Sequence, residues 1–161
     1  MQSSILGTRF AHWPDEAACV AGAAALAGHP ALADAFIELH GPLGAGKTTF
    51  VRHLLAALGV AGRIKSPTYT LMEPYRSDDA HGAFPIAHFD FYRFDDDREW
   101  EDAGFRDVFA EPGLKLVEWP EKAEALLPPC DLRLTIAPHE ASAARGVRME
   151  AMSRRGEELL A

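Results

Sequence analysis

This sequence predicts an α/β domain in which a predominantly parallel central sheet is flanked by helices and carries an antiparallel hairpin. Three observations carry that prediction. A short apolar strand, a glycine-rich turn and a helix with one apolar stripe follow each other without a gap from residue 35 to residue 59. Further apolar strands downstream alternate with segments of helical pattern. And 161 residues, 48% of them hydrophobic and 25% charged, suffice for a single domain (1–161) with a sizeable core.

The first helix spans "DEAACVAGAAALA", residues 15–27, with Asp15 as N-cap after Pro14 and Gly28 and Pro30 as its stop. "AFIELH", 35–40, is a strand. In "KTTFVRHLLAALG", Phe50, Val51, Leu54, Leu55 and Leu58 recur on one helical face, and Gly59 ends the helix. "TYTLMEPY" (68–75) and "FPIAHFDFYRF" (84–94) form the hairpin around the turn-rich "RSDDAHGA". A short helical stretch over "DDDREWED" and "GFRDVFAEPG" places Phe105, Val108 and Phe109 together. "LKLVEW" is a strand and "PEKAEALL" a short helix with Pro120 near its start. "DLRLTIA" and "RGVRMEA" make a closing pair of strands, and "SRRGEELLA" is either a helical turn or a frayed tail.

Several function classes recede at once. A net charge of −8 is wrong for unaided nucleic-acid binding, which needs a basic surface to displace counterions. No apolar run reaches membrane-span length. "MQSSILGTRF" lacks the basic segment and apolar stretch of a secretion signal. Cys19 and Cys130 are far apart, without metal or redox spacing, and read as reduced thiols of a cytoplasmic protein.

"HGPLGAGKTTF", 40–50, holds the pattern G-x-x-x-x-G-K-[ST] as Gly41, Gly46, Lys47 and Thr48, between a strand and a helix. That context makes the segment a phosphate-binding P-loop and the domain a P-loop NTPase. Backbone N–H groups of Gly41, Leu43, Gly44, Ala45, Gly46 and Thr49 can turn onto phosphate oxygens, helped by the positive end of the helix dipole. Lys47 is expected at the β- and γ-phosphates, where it serves catalysis as well as binding, and Thr48 on Mg²⁺.

Two acids compete for the chemistry. In "HFDFYR", strand alternation puts Ala87, Phe89 and Phe91 on one face and His88, Asp90 and Tyr92 on the other. Asp90 then stands where a P-loop enzyme keeps a metal-shell or water-orienting carboxylate. Glu118 ends the strand before Trp119 and is the second acid. His88 and Asp90 find no further ligands nearby, which disfavours zinc. Trp119 either packs in the core or lies near the nucleotide. "KSPTYTL", 65–71, is either a switch segment with hydroxyls on Ser66, Thr68 and Thr70 or simply the start of a strand.

The chain has no Asn, and its one Gln is Gln2. An N-K-x-D guanine motif is therefore impossible, and no glutamine within the site can orient water, so ATP with a carboxylate is favoured. A small-molecule kinase is the rival enzyme, although "RFDDDREW" is too acidic to suit a phosphorylated acceptor. A nucleotide-gated binding module with negligible turnover is the rival from another class.

"GPLGAGKTTF", "KSPTYTL", "HFDFYRF" and "LVEWPEK", in this order over residues 41–122, resemble the TsaE (YjeE) family. These are small bacterial P-loop ATPases needed for the threonylcarbamoyladenosine modification of tRNA. The ends match more loosely, and Ala18 and Cys19 stand where the family commonly has a threonine. The resemblance implies ATP with Mg²⁺, Thr48 and Glu118 on the metal, and Asp90 as the catalytic or metal-shell acid. It makes Glu16 and Arg145 nucleotide contacts. It also implies TsaD and TsaB as partners, with tRNA engaged only through them, and an ATP cycle that resets the complex between turnovers.

Overall fold

The computed structural model describes residues 4–161. Met1, Gln2 and Ser3, the start of the segment read above for a secretion signal, lie outside the described residues. Among the described residues seven strands form one mixed sheet in the order β1-β7-β6-β2-β5-β4-β3. The strands are β1 (Gly7–Trp13), β2 (Phe36–His40), β3 (Met72–Arg76), β4 (Pro85–Asp90), β5 (Leu114–Glu118), β6 (Leu132–Pro138) and β7 (Arg145–Ala151). The centre, β6-β2-β5-β4, is parallel throughout. β3 closes one side antiparallel to β4, as the expected hairpin, and β7 and β1 extend the other side antiparallel.

Alternation divides the core between the two faces of the sheet. Ile37, Leu39, Ile86, Leu114 and Leu116 pack with Phe50, Val51, Leu54 and Leu55 of α2 (Lys47–Ala57), and α1 (Glu16–Ala27) joins the same cluster through Cys19, Ala23, Leu26 and Ala27. Phe36, Ala87, Phe89 and Val117 face the other way, against Trp100 of α3 (Asp97–Ala103) and Phe105 of α4 (Phe105–Ala110). The helical stripe read from the sequence is entirely buried, at 1% exposure or less. Emptying one such position to Ala typically costs about 2–5 kcal/mol.

Local chemistry sets the boundaries. Asp15 accepts the Ala18 N–H and starts α1. The single helical stretch expected over 95–113 is two helices, because Gly104 turns left-handed between them. "PEKAEALL" makes only a 3-10 turn over Pro120–Ala123 rather than a helix, confined between a left-handed Trp119 and Pro128-Pro129. β3 begins at Met72 and not at 68, because the Leu71 N–H reaches back to Pro67 O (2.7 Å) and Leu71 takes a φ of 67°. β4 stops at Asp90 where an extended run to Phe94 was expected. At the C-terminus the helical alternative holds. Ser153 caps α5 (Arg154–Leu160), whose Leu159 is buried. β1 was not anticipated; it pairs along its whole length with β7. Among the described residues no helix is long and apolar enough to cross a membrane.

Candidate functional site

Parallel strands deliver their C-terminal ends to one edge of the sheet, where α/β proteins bind ligands. Here β2 ends at His40 and runs into the glycine loop, β4 ends at Asp90 and β5 at Glu118. Asp90 and Glu118 are partners in register on neighbouring strands. Both alternate with residues of the far face, so both point to the α2 side.

The loop itself depends on its glycines. Gly41 has φ +144°, and a Cβ there would sit 2.5 Å from Ile136 O. Gly46, at φ +104°, is the N-cap of α2. α2 then begins at Lys47, which aims its buried side chain back into the loop. Its Nζ donates to Gly41 O and lies 3.5 Å from the centroid of the Trp119 ring. Trp119 reaches that position through a left-handed backbone, φ 57°, uncommon for a non-glycine residue. Burial pulls the Lys47 ammonium below its ordinary value, against the opposing pull of Glu118, Glu121 and Asp90.

Glu118 is held at both oxygens. Thr48 donates its hydroxyl to Oε1 at 2.7 Å, and His88 Nε2 lies 2.6 Å from Oε2. Glu118 and His88 are 2% and 1% exposed. Since the carboxylate accepts, His88 carries its proton on Nε2, and Nδ1 is left buried without a partner. Asp90, 7% exposed, accepts the Tyr92 N–H at 2.9 Å. Burial raises its carboxyl above the usual range; the Tyr92 N–H opposes this and the Glu118 charge adds to it.

Two cavities flank the loop. One, of about 380 Å³, is lined by Leu43, Gly44, Lys47, Thr48, Asp90 and Glu118, with Trp119, Tyr92, Arg93 and Thr68 at its other walls. The second, of about 250 Å³, is lined by Trp13, Glu16, Cys19, Ile136 and Arg145. Ala45, Gly46 and Thr49 line both. The expected residues are thus divided: both acids and Trp119 in the first cavity, Glu16 and Arg145 in the second. Arg145 donates from Nε to Ala45 O (2.8 Å), bracing the loop from β7. Glu16 meets His53 at 2.9 Å.

Thr48, Asp90 and Glu118 offer the first cavity a hydroxyl and two carboxylates, a hard oxygen set that fits Mg²⁺, which keeps several waters and binds through few protein ligands. Among the described residues no group of three or more His, Cys, Asp or Glu forms a closed metal cage. Sequence reasoning missed Trp13, Tyr92 and Arg93 as lining residues and His88 as the partner of Glu118. Trp13 had a local signal, an aromatic directly before a capped helix; the His88 contact spans 30 residues and had none.

The family model described as "Threonylcarbamoyl adenosine biosynthesis protein TsaE" matches residues 13–147. The chain is 39% identical over 124 residues to the tRNA threonylcarbamoyladenosine biosynthesis protein TsaE of Haemophilus influenzae, covering 77% of this chain and 75% of that one. It is 39% identical over 100 residues to the Bacillus subtilis protein of the same name, covering 62% and 60%. The crystal structure of Bacillus subtilis YdiB superposes with a TM-score of 0.76 at 29% identity, over 98% of this chain and 95% of that one. With a match that runs from Trp13 past Arg145 and takes in the glycine loop and both acids, this chain belongs to the TsaE family.

Proposed function

We propose that this protein binds Mg-ATP and hydrolyses it as the ATPase component of tRNA threonylcarbamoyladenosine synthesis, acting on a TsaB–TsaD complex to reset it between turnovers. One observation carries the ATPase reading: Lys47, Thr48, Glu118 and Asp90 line a single cavity at the mouth of the glycine loop. The names of the relatives supply the pathway.

In this reading the phosphates lie along the loop, and Lys47 leaves Gly41 O and the Trp119 ring to meet the β- and γ-phosphates. The second cavity takes the nucleoside end, with Glu16 and Arg145 beside it. Thr48 and Glu118 hold Mg²⁺, which when bound neutralises charge on the phosphate oxygens. His88 keeps Glu118 turned toward Thr48. Asp90, adjacent but tied to the Tyr92 N–H, orients the attacking water; a carboxyl above its usual range suits a general base. The protein's own charge of −8 suits a component that leaves tRNA to its partners. The proposed setting is the cytoplasm, which the two free buried thiols also suit.

The test is tRNA modification by TsaB and TsaD over repeated turnovers, with and without this protein, while released phosphate is followed. Many rounds only in its presence, with phosphate release raised by the TsaB–TsaD pair, is the expected result. A single round regardless of the protein would remove the resetting role. A phosphorylated product other than inorganic phosphate would make it a kinase.

A further inference from the structure

The first cavity has a second cation besides Lys47. Arg93 lines it, three residues beyond Asp90. The turn that puts it there is fixed, because the Tyr92 N–H is held by Asp90 Oδ1 at 2.9 Å. Its guanidinium carbon lies 4.8 Å from the ring centroid of Tyr69. Tyr69 is 81% exposed and follows Thr68, itself a wall of the same cavity. Among the described residues no carboxylate pairs with Arg93. An arginine without a counter-ion, stacked on a solvent-exposed ring, is weakly held.

The charge balance of the cavity gives that arginine a purpose. With Mg-ATP in the cavity, the triphosphate together with Asp90 and Glu118 carries more negative charge than Mg²⁺ and Lys47 can offset. Phosphoryl transfer spreads further negative charge over the three equatorial oxygens of the moving group, and catalysis is chiefly its compensation. Arg93 offers a planar fork of N–H donors matched to two phosphate oxygens. A bidentate contact to phosphate is stronger than a stack on an exposed ring.

We infer that Arg93 is a further catalytic residue, a cation supplied by this chain to the terminal phosphate, stacked on Tyr69 when no nucleoside triphosphate is present. It rests on the proposed ATPase reading of the same site. Arg93 transfers no proton. Water oxygen forms the new bond to phosphorus and gives its proton to Asp90, the bond to the leaving diphosphate oxygen breaks with its electron pair kept on that oxygen, and Arg93 binds the oxygens that gain charge meanwhile.

The test compares Mg-ATP and Mg-ADP affinity by calorimetry in the wild type, Arg93→Ala, Arg93→Lys and Lys47→Ala. Arg93→Ala should melt like the wild type, since no ion pair is lost. Its ATP affinity should fall about tenfold while ADP affinity stays within about twofold, and Arg93→Lys should lie between. Equal losses for ATP and ADP, or an unchanged ratio, would overturn the assignment to the terminal phosphate. Failure of the underlying reading looks different: the Lys47→Ala protein would then bind both nucleotides as well as the wild type does.

Discussion

His88 and Glu118 form a buried pair, Nε2 to Oε2 at 2.6 Å, behind the position where Thr48 meets the same carboxylate. Glu118 would otherwise turn a free oxygen toward an apolar interior. His88→Leu keeps the volume and removes the donor. It should lower stability by about 2 kcal/mol, the usual loss for a buried hydrogen bond to a charged group. It should also raise the Mg²⁺ concentration needed for tight ATP binding, and His88→Gln, which keeps a donor, should recover much of both. Urea unfolding without nucleotide and ATP titrations at stepped Mg²⁺ measure the two effects. An unchanged urea midpoint in His88→Leu would show that Glu118 has no need of the imidazole.

That pair marks the limit of what one dimension can show. Period-two alternation correctly separates His88 and Asp90 from Phe89, so each strand end could be read alone. The parallel register that sets Asp90 beside Glu118 is a property of three dimensions. β1 was illegible for a related reason. In "GTRFAHW" only Trp13 is buried, and Phe10 is 75% exposed, so the strand has no alternating signature and exists because β7 pairs with it. The glycine loop, α2 and the acids were legible because their chemistry is local. The division of the candidate site residues between two cavities was not, since Arg145 approaches the loop from a strand 100 residues away.

The Lys47–Trp119 contact predicts an optical signal. Phosphate oxygens should draw the ammonium off the indole face, which it approaches to 3.5 Å. In a protein whose other tryptophans, Trp13 and Trp100, are replaced by Phe, Mg-ATP should change Trp119 emission. Inorganic triphosphate should do likewise, since it fills the phosphate end alone. Emission that stays constant at saturation, verified by calorimetry, would mean that Lys47 never leaves the ring.

Arg145 acts on the loop by a backbone contact, Nε to Ala45 O at 2.8 Å. Arg145→Met keeps the aliphatic wall of the second cavity and loses that brace. ATP and ADP affinity should both fall, by about tenfold, the equivalent of one charge-assisted hydrogen bond. The Mg²⁺ dependence should not move, because Thr48 and Glu118 are untouched. A changed Mg²⁺ dependence with normal ADP affinity would place Arg145 in the metal chemistry instead.

Asp90 and Glu118 should fail in different ways although they are register partners. Glu118→Gln should weaken Mg²⁺-dependent ATP binding and turnover together, because it lowers the charge offered to the metal. Asp90→Asn should leave Mg-ATP affinity largely intact and slow single-turnover hydrolysis by about 100-fold, the range expected for a lost general base. It should also stabilise the free protein at neutral pH. Burial raises the folded carboxyl above the ordinary 3.8. The folded state therefore binds that proton more tightly than the unfolded chain does, and this contribution to stability is lost as pH rises through the folded value. Asn keeps the acceptor for the Tyr92 N–H and never ionises, so its advantage should grow as pH rises through that value and vanish near pH 3. Urea unfolding of both proteins across that range measures it. If the advantage were instead greatest in acid, the carboxylate would be stabilised by the fold, and its role as a poised base would be wrong. If Asp90→Asn lost metal-dependent affinity while Glu118→Gln lost only rate, the two acids would have exchanged roles.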